Sequence, residues 1–253
     1  MLALCASLVT HGKAAAEDVP MWVYHNFPPY VVNEDLREGI SFELADMLTA
    51  MSDGKYQFNV VVMPRKRLNN RIADGAPGMV LWANPAWFGD SDRTRFLWSA
   101  PVLNDQNDVI SPTEVSFQYD GPGSLDGRML VGVTGHRYPG VDGMIETGSV
   151  ERIDVNAEDA LVRFIASGRG EVAIVAQSAA RYFVQKHELG EAVHFSGTPH
   201  SSYQRHILFQ PELAPVHAYV QDALTRLQQS PDWAAAVDRY ALDLALQPQR
   251  PEN

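Results

Sequence analysis

Two loops of this chain gather side chains suited to holding a small molecule. In the turn Tyr24-His25-Asn26-Phe27-Pro28-Pro29-Tyr30, the rings of Phe27 and Tyr30 can line a cleft, or else cover core beside two prolines. In the second loop Trp82, Asn84, Trp87 and Phe88 supply broad apolar faces next to an amide able to orient a polar group; alternatively Trp82 and Trp87 anchor core. No Gly-x-Ser-x-Gly elbow, Walker loop, dinucleotide glycine fingerprint or His-Glu-x-x-His helix occurs. His194, His200 and His206 are evenly spaced but suit neither a helical metal face nor a familiar ligand cluster. Carboxylates are plentiful, yet nothing singles out an acid and base pair. These residues predict no catalytic group, no metal and no cofactor. An enzymatic reading would have to use the loop histidines His25 or His136.

These loops need elements to hold them. Met21-Trp22-Val23-Tyr24 is short and apolar, as a strand buried on both faces is, and Pro28-Pro29 ends it because neither proline can donate to a ladder. Beyond Gly39, the residues Phe42, Leu44, Ala45, Met47, Leu48 and Met51 recur at helical spacing, with Gly54 as a stop. Residues 56–63 have strand composition, residues 64–75 read as a proline-opened helix closed by Gly75, and residues 79–82 form another buried-type strand. This order predicts a parallel sheet with helical crossovers. Its strand-to-helix loops, the aromatic turn among them, lie where open α/β sheets bind ligands. Residues 95–101 then read as a strand, 107–111 as an extended exit and 121–123 as a turn. A second series follows, with strand 129–133, loop 134–139, helix 157–167 and strand 171–176. Residues 205–209 return extended, and residues 216–246 are helical, with Ser230-Pro231 as cap and first helical position.

The aromatic-Pro-Pro-aromatic turn, the Gly39 start and the helix Phe42-Glu43-Leu44-Ala45-Asp46-Met47-Leu48 resemble the opening of bacterial extracellular solute-binding protein family 3, the polar amino acid class serving ABC importers. Trp98-Ser99-Ala100-Pro101 fits that family's aromatic-Ser-x-Pro strand. Leu125-Asp126-Gly127, Val131-Gly132-Val133, Ser167-Gly168-Arg169 and Val172-Ala173-Ile174-Val175 follow in the order of its second lobe. The resemblance implies an α/β, two-lobed periplasmic-binding-protein-like fold of type II, each lobe a mixed, mainly parallel sheet flanked by helices, with two hinge crossings. Lobe 1 would hold residues 17–108 and 206–246, lobe 2 residues 109–205, and residues 247–253 would be a flexible tail. A monomer of this kind closes like a flytrap on its solute.

The family holds a ligand carboxylate with an arginine at the turn before the aromatic-Ser-x-Pro strand, because a planar guanidinium matches two oxygens at once. Arg93 is the match here, or else a solvated surface charge beside Asp90 and Asp92, and Arg95 is the fallback because the spacing to Ser99 is a residue short. Arg67 and Arg137 are further candidates. Where amino-acid binders of the family place an Asp to pair the ligand's ammonium, this chain has Gln177, and a neutral amide cannot offset a buried charge. That departure points to a carboxylate or other polar solute with an apolar or aromatic part. The ligand-binding set so implied is Tyr24, Phe27, Tyr30, Arg67, Trp82, Asn84, Trp87, Arg93, His136, Arg137 and Gln177. Its partners would be a small-molecule solute and a membrane permease. In a sensing reading a membrane receptor takes the permease's place, and some members of this fold resemble dehydratases acting on cyclic carboxylic acids.

The chain's 253 residues allow one large domain or two modest ones. A net charge of −11 argues against nucleic acid or an anionic membrane surface as main partner. Leu2 opens an apolar run that ends at Val9, well short of the about 20 residues a membrane span needs, and Ala14-Ala15-Ala16 follows. This reads as a signal peptide over residues 1–16 cleaved near Ala16, hence a periplasmic protein with no direct membrane insertion of the mature chain. Cys5, the sole cysteine, falls inside that segment, which weighs against thiol catalysis and thiolate metal sites.

Overall fold

The computed structural model describes residues 15–244, so most of the expected signal segment, Cys5 and the tail from residue 247 lie outside the described residues. The chain begins with strand β1 (Glu17–Val23), the aromatic turn, helix α1 (Ile40–Ala50), β2 (Tyr56–Val62), α2 (Arg65–Ala73) and β3 (Met79–Ala83). The parallel β1–β2 and β1–β3 pairings are those expected from the alternation of strand and helix. Burial explains why the second half of β1, from Met21, and all of β3 are apolar. Met21 and Val23 enter one core with Leu81, while Trp22 enters the core on the opposite side of the sheet with Val80.

After a 3-10 turn over Pro85–Phe88, the strand expected at 95–101 contracts to β4 (Leu97–Trp98). The cause is local. The buried Asp90 carboxylate accepts from the backbone N–H groups of Thr94, Arg95 and Phe96 and from Trp98 Nε1, which bends this segment into a turn rather than a ladder. Burial raises the Asp90 pKa, but the hydrogen bonds outweigh that and hold it below the usual carboxylate range.

The long strand β5 (Leu103–Pro112) leaves this half and pairs antiparallel with β8 in the other. There β6 (Met129–Val133), α3 (Asp142–Glu146), β7 (Glu151–Val155), α4 (Glu158–Ala166), β8 (Val172–Ala176), α5 (Gln177–Lys186) and β9 (Val193–Phe195) follow. Helix α5 and strand β7 were not anticipated from periodicity. In β8, Ala173 and Val175 join one core and Val172 and Ile174 another, which again marks a strand buried on both faces. The chain returns through β10 (Ser201–Phe209), antiparallel to both β3 and β5. The continuous strand order is β2-β1-β3-β10-β5-β8-β6-β7, a curled mixed sheet whose two middle strands join the halves.

The C-terminal expectation needs correction. Instead of running helical to 246, the chain forms α6 (Ala214–Leu227) and α7 (Pro231–Arg239), then strand β11 (Asp243–Leu244) on β5. Ser230 caps α7 as expected, accepting from Trp233 N. Among the described residues no helix is long and apolar enough to cross a membrane.

Gly39 fixes how the aromatic turn enters α1. Its φ is 131°, and a Cβ there would sit 2.6 Å from the Tyr30 carbonyl oxygen, while its N–H donates to the Tyr240 hydroxyl at 3.1 Å. Gly39→Ala is therefore expected to destabilise the fold by about 1–3 kcal/mol or more, through strain plus the clash. Gly75→Ala is the control, since its φ is 67° and nothing lies within 4 Å of its added Cβ. Urea midpoints are expected to fall further for Gly39→Ala than for Gly75→Ala, since Gly39 combines the clash with a backbone conformation, φ 131° and ψ 157°, that only glycine adopts readily.

Candidate functional site

A cavity of about 660 Å³ lies between the two halves. From the first half Tyr24, His25, Phe27, Arg65, Asn84 and Trp87 line it; from the second, Val133, His136, Arg137, Tyr138 and Glu158 do so, with Tyr203 and Arg205 of β10 as floor. Its volume and mixture of rings with a few polar groups suit a small organic molecule.

The floor is a saturated ionic network. Arg205 is 1% exposed, and its Nε donates to Asp105 Oδ2 at 2.7 Å, with Nη2 2.6 Å from the same oxygen. Its Nη1 donates to the Trp82 carbonyl at 3.2 Å and to His25 Nε2 at 3.2 Å, and Nη2 to the Tyr203 hydroxyl at 3.3 Å. Asp105 also accepts from Ser178 Oγ at 2.9 Å and from the backbone N–H of Ser178 at 3.2 Å, in the first turn of α5, where the helix dipole favours an anion. The Tyr30 hydroxyl completes the chain by donating to Ser178 Oγ at 2.9 Å. Burial and the charges of Arg205 and Arg65 push the His25 pKa well below its usual value, so this ring is neutral.

The wall is different. Arg65, the first residue of α2, stacks over Tyr24 and Phe88 with its guanidinium carbon 4.7 and 4.1 Å from the ring centroids. Its Nε donates to Asn69 Oδ1 at 2.9 Å and its Nη2 to the Trp87 carbonyl at 2.6 Å. Among the described residues no carboxylate lies within ion-pair distance of it. Beneath it the Tyr24 hydroxyl is buried without a hydrogen-bond partner, and burial, opposed by Arg65 and Arg205, pushes its pKa up to about 12. A buried hydroxyl left in this state costs about 1–3 kcal/mol.

The cavity gathers Tyr24, Phe27, Asn84, Trp87, His136 and Arg137 of the residues singled out by sequence. Asn84 spends its amide on structure, accepting from Ala86 N and donating to the Gln204 carbonyl. Tyr30 and Trp82 are fully buried behind the cavity, and Trp82 Nε1 donates to Ser41 Oγ at 2.8 Å. Arg67 is exposed on α2 outside the cavity lining, and Gln177 lines a separate depression with Asn104, Asp105 and Gln106. Arg93, at φ 56°, lies in another depression with its Nη2 3.3 Å from His206 Nε2, while Arg95 lines a groove beside Phe88 and Phe96. Sequence reasoning missed Arg65, Glu158, Asp105, Ser178, Tyr203 and Arg205. For Arg205 the one available signal was a lone cation heading the apolar run His206-Ile207-Leu208-Phe209. Nothing local announces its partner 100 residues away.

No family model matches the chain, and no curated protein matches its sequence. Its structure is similar to that of a mutant of ArgBP from T. maritima, with a TM-score of 0.63 and 15% identity over 88% of this chain and 95% of that one. It is also similar to the GluR0 ligand-binding core from Nostoc punctiforme in complex with L-glutamate, with TM-score 0.63 and 12% identity over 88% and 98% of the two chains. A periplasmic binding protein from Salmonella typhimurium with high arginine specificity gives TM-score 0.62 and 10% identity over 88% and 99%. The chain thus has the two-lobed α/β fold of periplasmic binding proteins.

Asp105→Ala leaves the Arg205 charge buried and unpaired, and is expected to cost about 3–5 kcal/mol in chemical denaturation. The His25 ring gives a pH signature. The unfolded chain takes up its proton near a pH of about 6.5, and the folded state resists it, so stability is full above that pH and falls as the pH drops below it. The melting temperature of His25→Asn is expected to fall less steeply than that of the parent protein between neutral pH and pH about 5.

Proposed function

We propose that this protein is a divergent member of solute-binding protein family 3 that captures a carboxylate-bearing solute between its lobes, with residues 17–108 and 206–246 as one lobe and 109–205 as the other. Export to the periplasm and delivery to an ABC-type importer complete this reading. The observation that carries it is Arg65: a cavity-lining guanidinium, held in place by two rings, an amide and a carbonyl, and given no carboxylate by the described residues. A ligand carboxylate would supply that partner, with Trp87, Tyr24 and Phe27 packing on the rest of the molecule. The similar structures include a glutamate complex and a protein of high arginine specificity, and both ligands carry a carboxylate, which agrees with an arginine anchor.

The dehydratase reading draws less support. His25 is held neutral with Nε2 accepting from Arg205, which makes it a weak base, and His136 lies 3.8 Å from Glu158 on the exposed rim.

A thermal-shift screen of amino acids, organic acids, amines and short peptides identifies the solute, since ligand at a hundredfold over its Kd stabilises by about 2.7 kcal/mol. Arg65→Ala is then expected to weaken binding about ten- to a hundredfold by calorimetric titration, the loss of a charge-assisted hydrogen bond pair. Arg93→Ala and Arg67→Ala are expected to leave it unchanged. The opposite pattern would return the carboxylate to Arg93.

A further inference from the structure

On the second half the cavity wall is the loop that follows β6, and an arginine behind it sets its shape. Val133, His136, Arg137, Tyr138 and Pro139 belong to the lining, whereas Arg152 of β7 does not. From outside, Arg152 Nη2 donates to the Val133 carbonyl at 3.2 Å and to the His136 carbonyl at 3.1 Å, so one nitrogen ties both ends of the turn at Thr134-Gly135. Its Nε donates to Asp154 Oδ1 at 2.7 Å, two residues along the same face of β7. The guanidinium carbon also stands 5.2 Å from the centroid of the Tyr138 ring, whose hydroxyl accepts from the Val133 N–H at 3.2 Å. With its side chain 16% exposed, Arg152 makes these bonds largely shielded from water.

The sequence leaves room for this arrangement. Gly132, at the middle of Val131-Gly132-Val133, is not among the residues with left-handed backbone, so what matters there is the missing side chain. A Cβ would lie 2.9 Å from Asp154 Oδ1 and 3.0 Å from Arg152 Nε, because Gly132 pairs with Asp154 across β6 and β7. The glycine lets the Arg152–Asp154 pair lie over β6 and reach the loop. Within the turn, Gly135 has φ 84° and open space around an added Cβ, so its own packing holds it little and the carbonyl bonds hold it more. The far end is tied separately, by His200 Nε2 2.9 Å from the Pro139 carbonyl and by Asp142 Oδ1 accepting from the Tyr138 N–H at 3.1 Å.

We infer that Arg152 is a positioning residue of the solute site, which fixes the loop from Thr134 to Pro139 in its binding shape before a solute arrives. The inference rests on the preceding reading of the cavity as that site. Without the two carbonyl bonds the loop would have to be ordered at the moment of binding, and that entropy cost is read out as lost affinity.

The test compares Arg152→Met, Arg152→Lys and Gly132→Ala with the parent protein. Each is titrated calorimetrically with L-glutamate, L-arginine, L-phenylalanine, glutarate and hydrocinnamate, and the unliganded proteins are followed by hydrogen exchange. For whichever compound binds the parent, Arg152→Met is expected to weaken binding about tenfold. The bonded amides of His136 and Tyr138 should then exchange faster while those of β6 keep the parent's protection. Arg152→Lys separates positioning from simple charge: its ammonium can pair with Asp154 but cannot at the same time reach both carbonyls, so binding weakens at a melting temperature close to the parent's. Gly132→Ala pushes the guanidinium aside and should reproduce the weakening, a second route should Arg152→Met fold poorly. Parent-like affinity in Arg152→Lys, or weaker binding without faster exchange in residues 134–139, overturns the inference. The solute site still stands in that case provided Arg65→Ala weakens the same compounds. If neither these compounds nor any in the thermal-shift screen binds the parent protein, the solute reading and this inference fall together.

Discussion

The structure depends on the Arg205–Asp105 pair buried at the crossing of the two halves. Two charges taken out of water are tolerated only if their remaining hydrogen-bonding sites are filled, and here the partners are drawn from five separate segments of the chain. β10 brings Arg205 and Tyr203, β5 brings Asp105, the aromatic turn brings His25 and Tyr30, β3 brings the Trp82 carbonyl, and α5 brings Ser178. Misplacing any one of these elements leaves a buried polar group unpaired. The network therefore specifies the hinge as much as it stabilises it, and it holds the aromatic turn and the start of α5 in register across the gap.

Against that saturated floor, Arg65 is the charged group of the cavity wall that the described residues leave without an opposing carboxylate. The contrast separates two uses of charge in one small volume. Arg205 has its donors fully engaged and contributes to the solute site mainly as shape and as positive potential below it. Arg65 is also fixed in direction, by Phe88, Tyr24 and Asn69, but without an opposing anion. A cation whose orientation is already set loses little entropy when a ligand arrives, which is the physical meaning of a preorganised site.

The same potential shapes the histidine chemistry. His25 sits between Arg205 and Arg65 in a shielded environment, and both effects favour the neutral ring. It serves as an acceptor for Arg205 and as a surface on which Phe27, Tyr30 and Trp87 pack at centroid distances of 5.5, 5.3 and 6.1 Å. A histidine in a cleft invites a catalytic reading, and its environment turns it into a structural polar contact instead.

What the sequence determined by itself was the set of elements with strong local signals. The inner run of β1 (Met21 to Val23) and strands β3 and β8 are apolar at every position because their two faces meet two cores, and Gly39 marks the backbone conformation that lets α1 start against Tyr30. From these, and from the order of motifs, the two-lobed α/β fold was legible. Which arginine faces the cavity was not. Arg65 and Arg67 are two residues apart on α2, about 200° around a helix, so the choice depends on which side of α2 packs on the sheet, and Leu68 decides that by burying itself in the core. Arg93 is turned toward His206 by the hydrogen bonds that Asp90 makes to its own loop, and Arg205 finds Asp105 only when β5 and β10 pair. These outcomes were decided by tertiary structure because a long-range charge pair leaves no periodic trace in a chain: its energy exists only after desolvation, and desolvation is a property of the assembled fold.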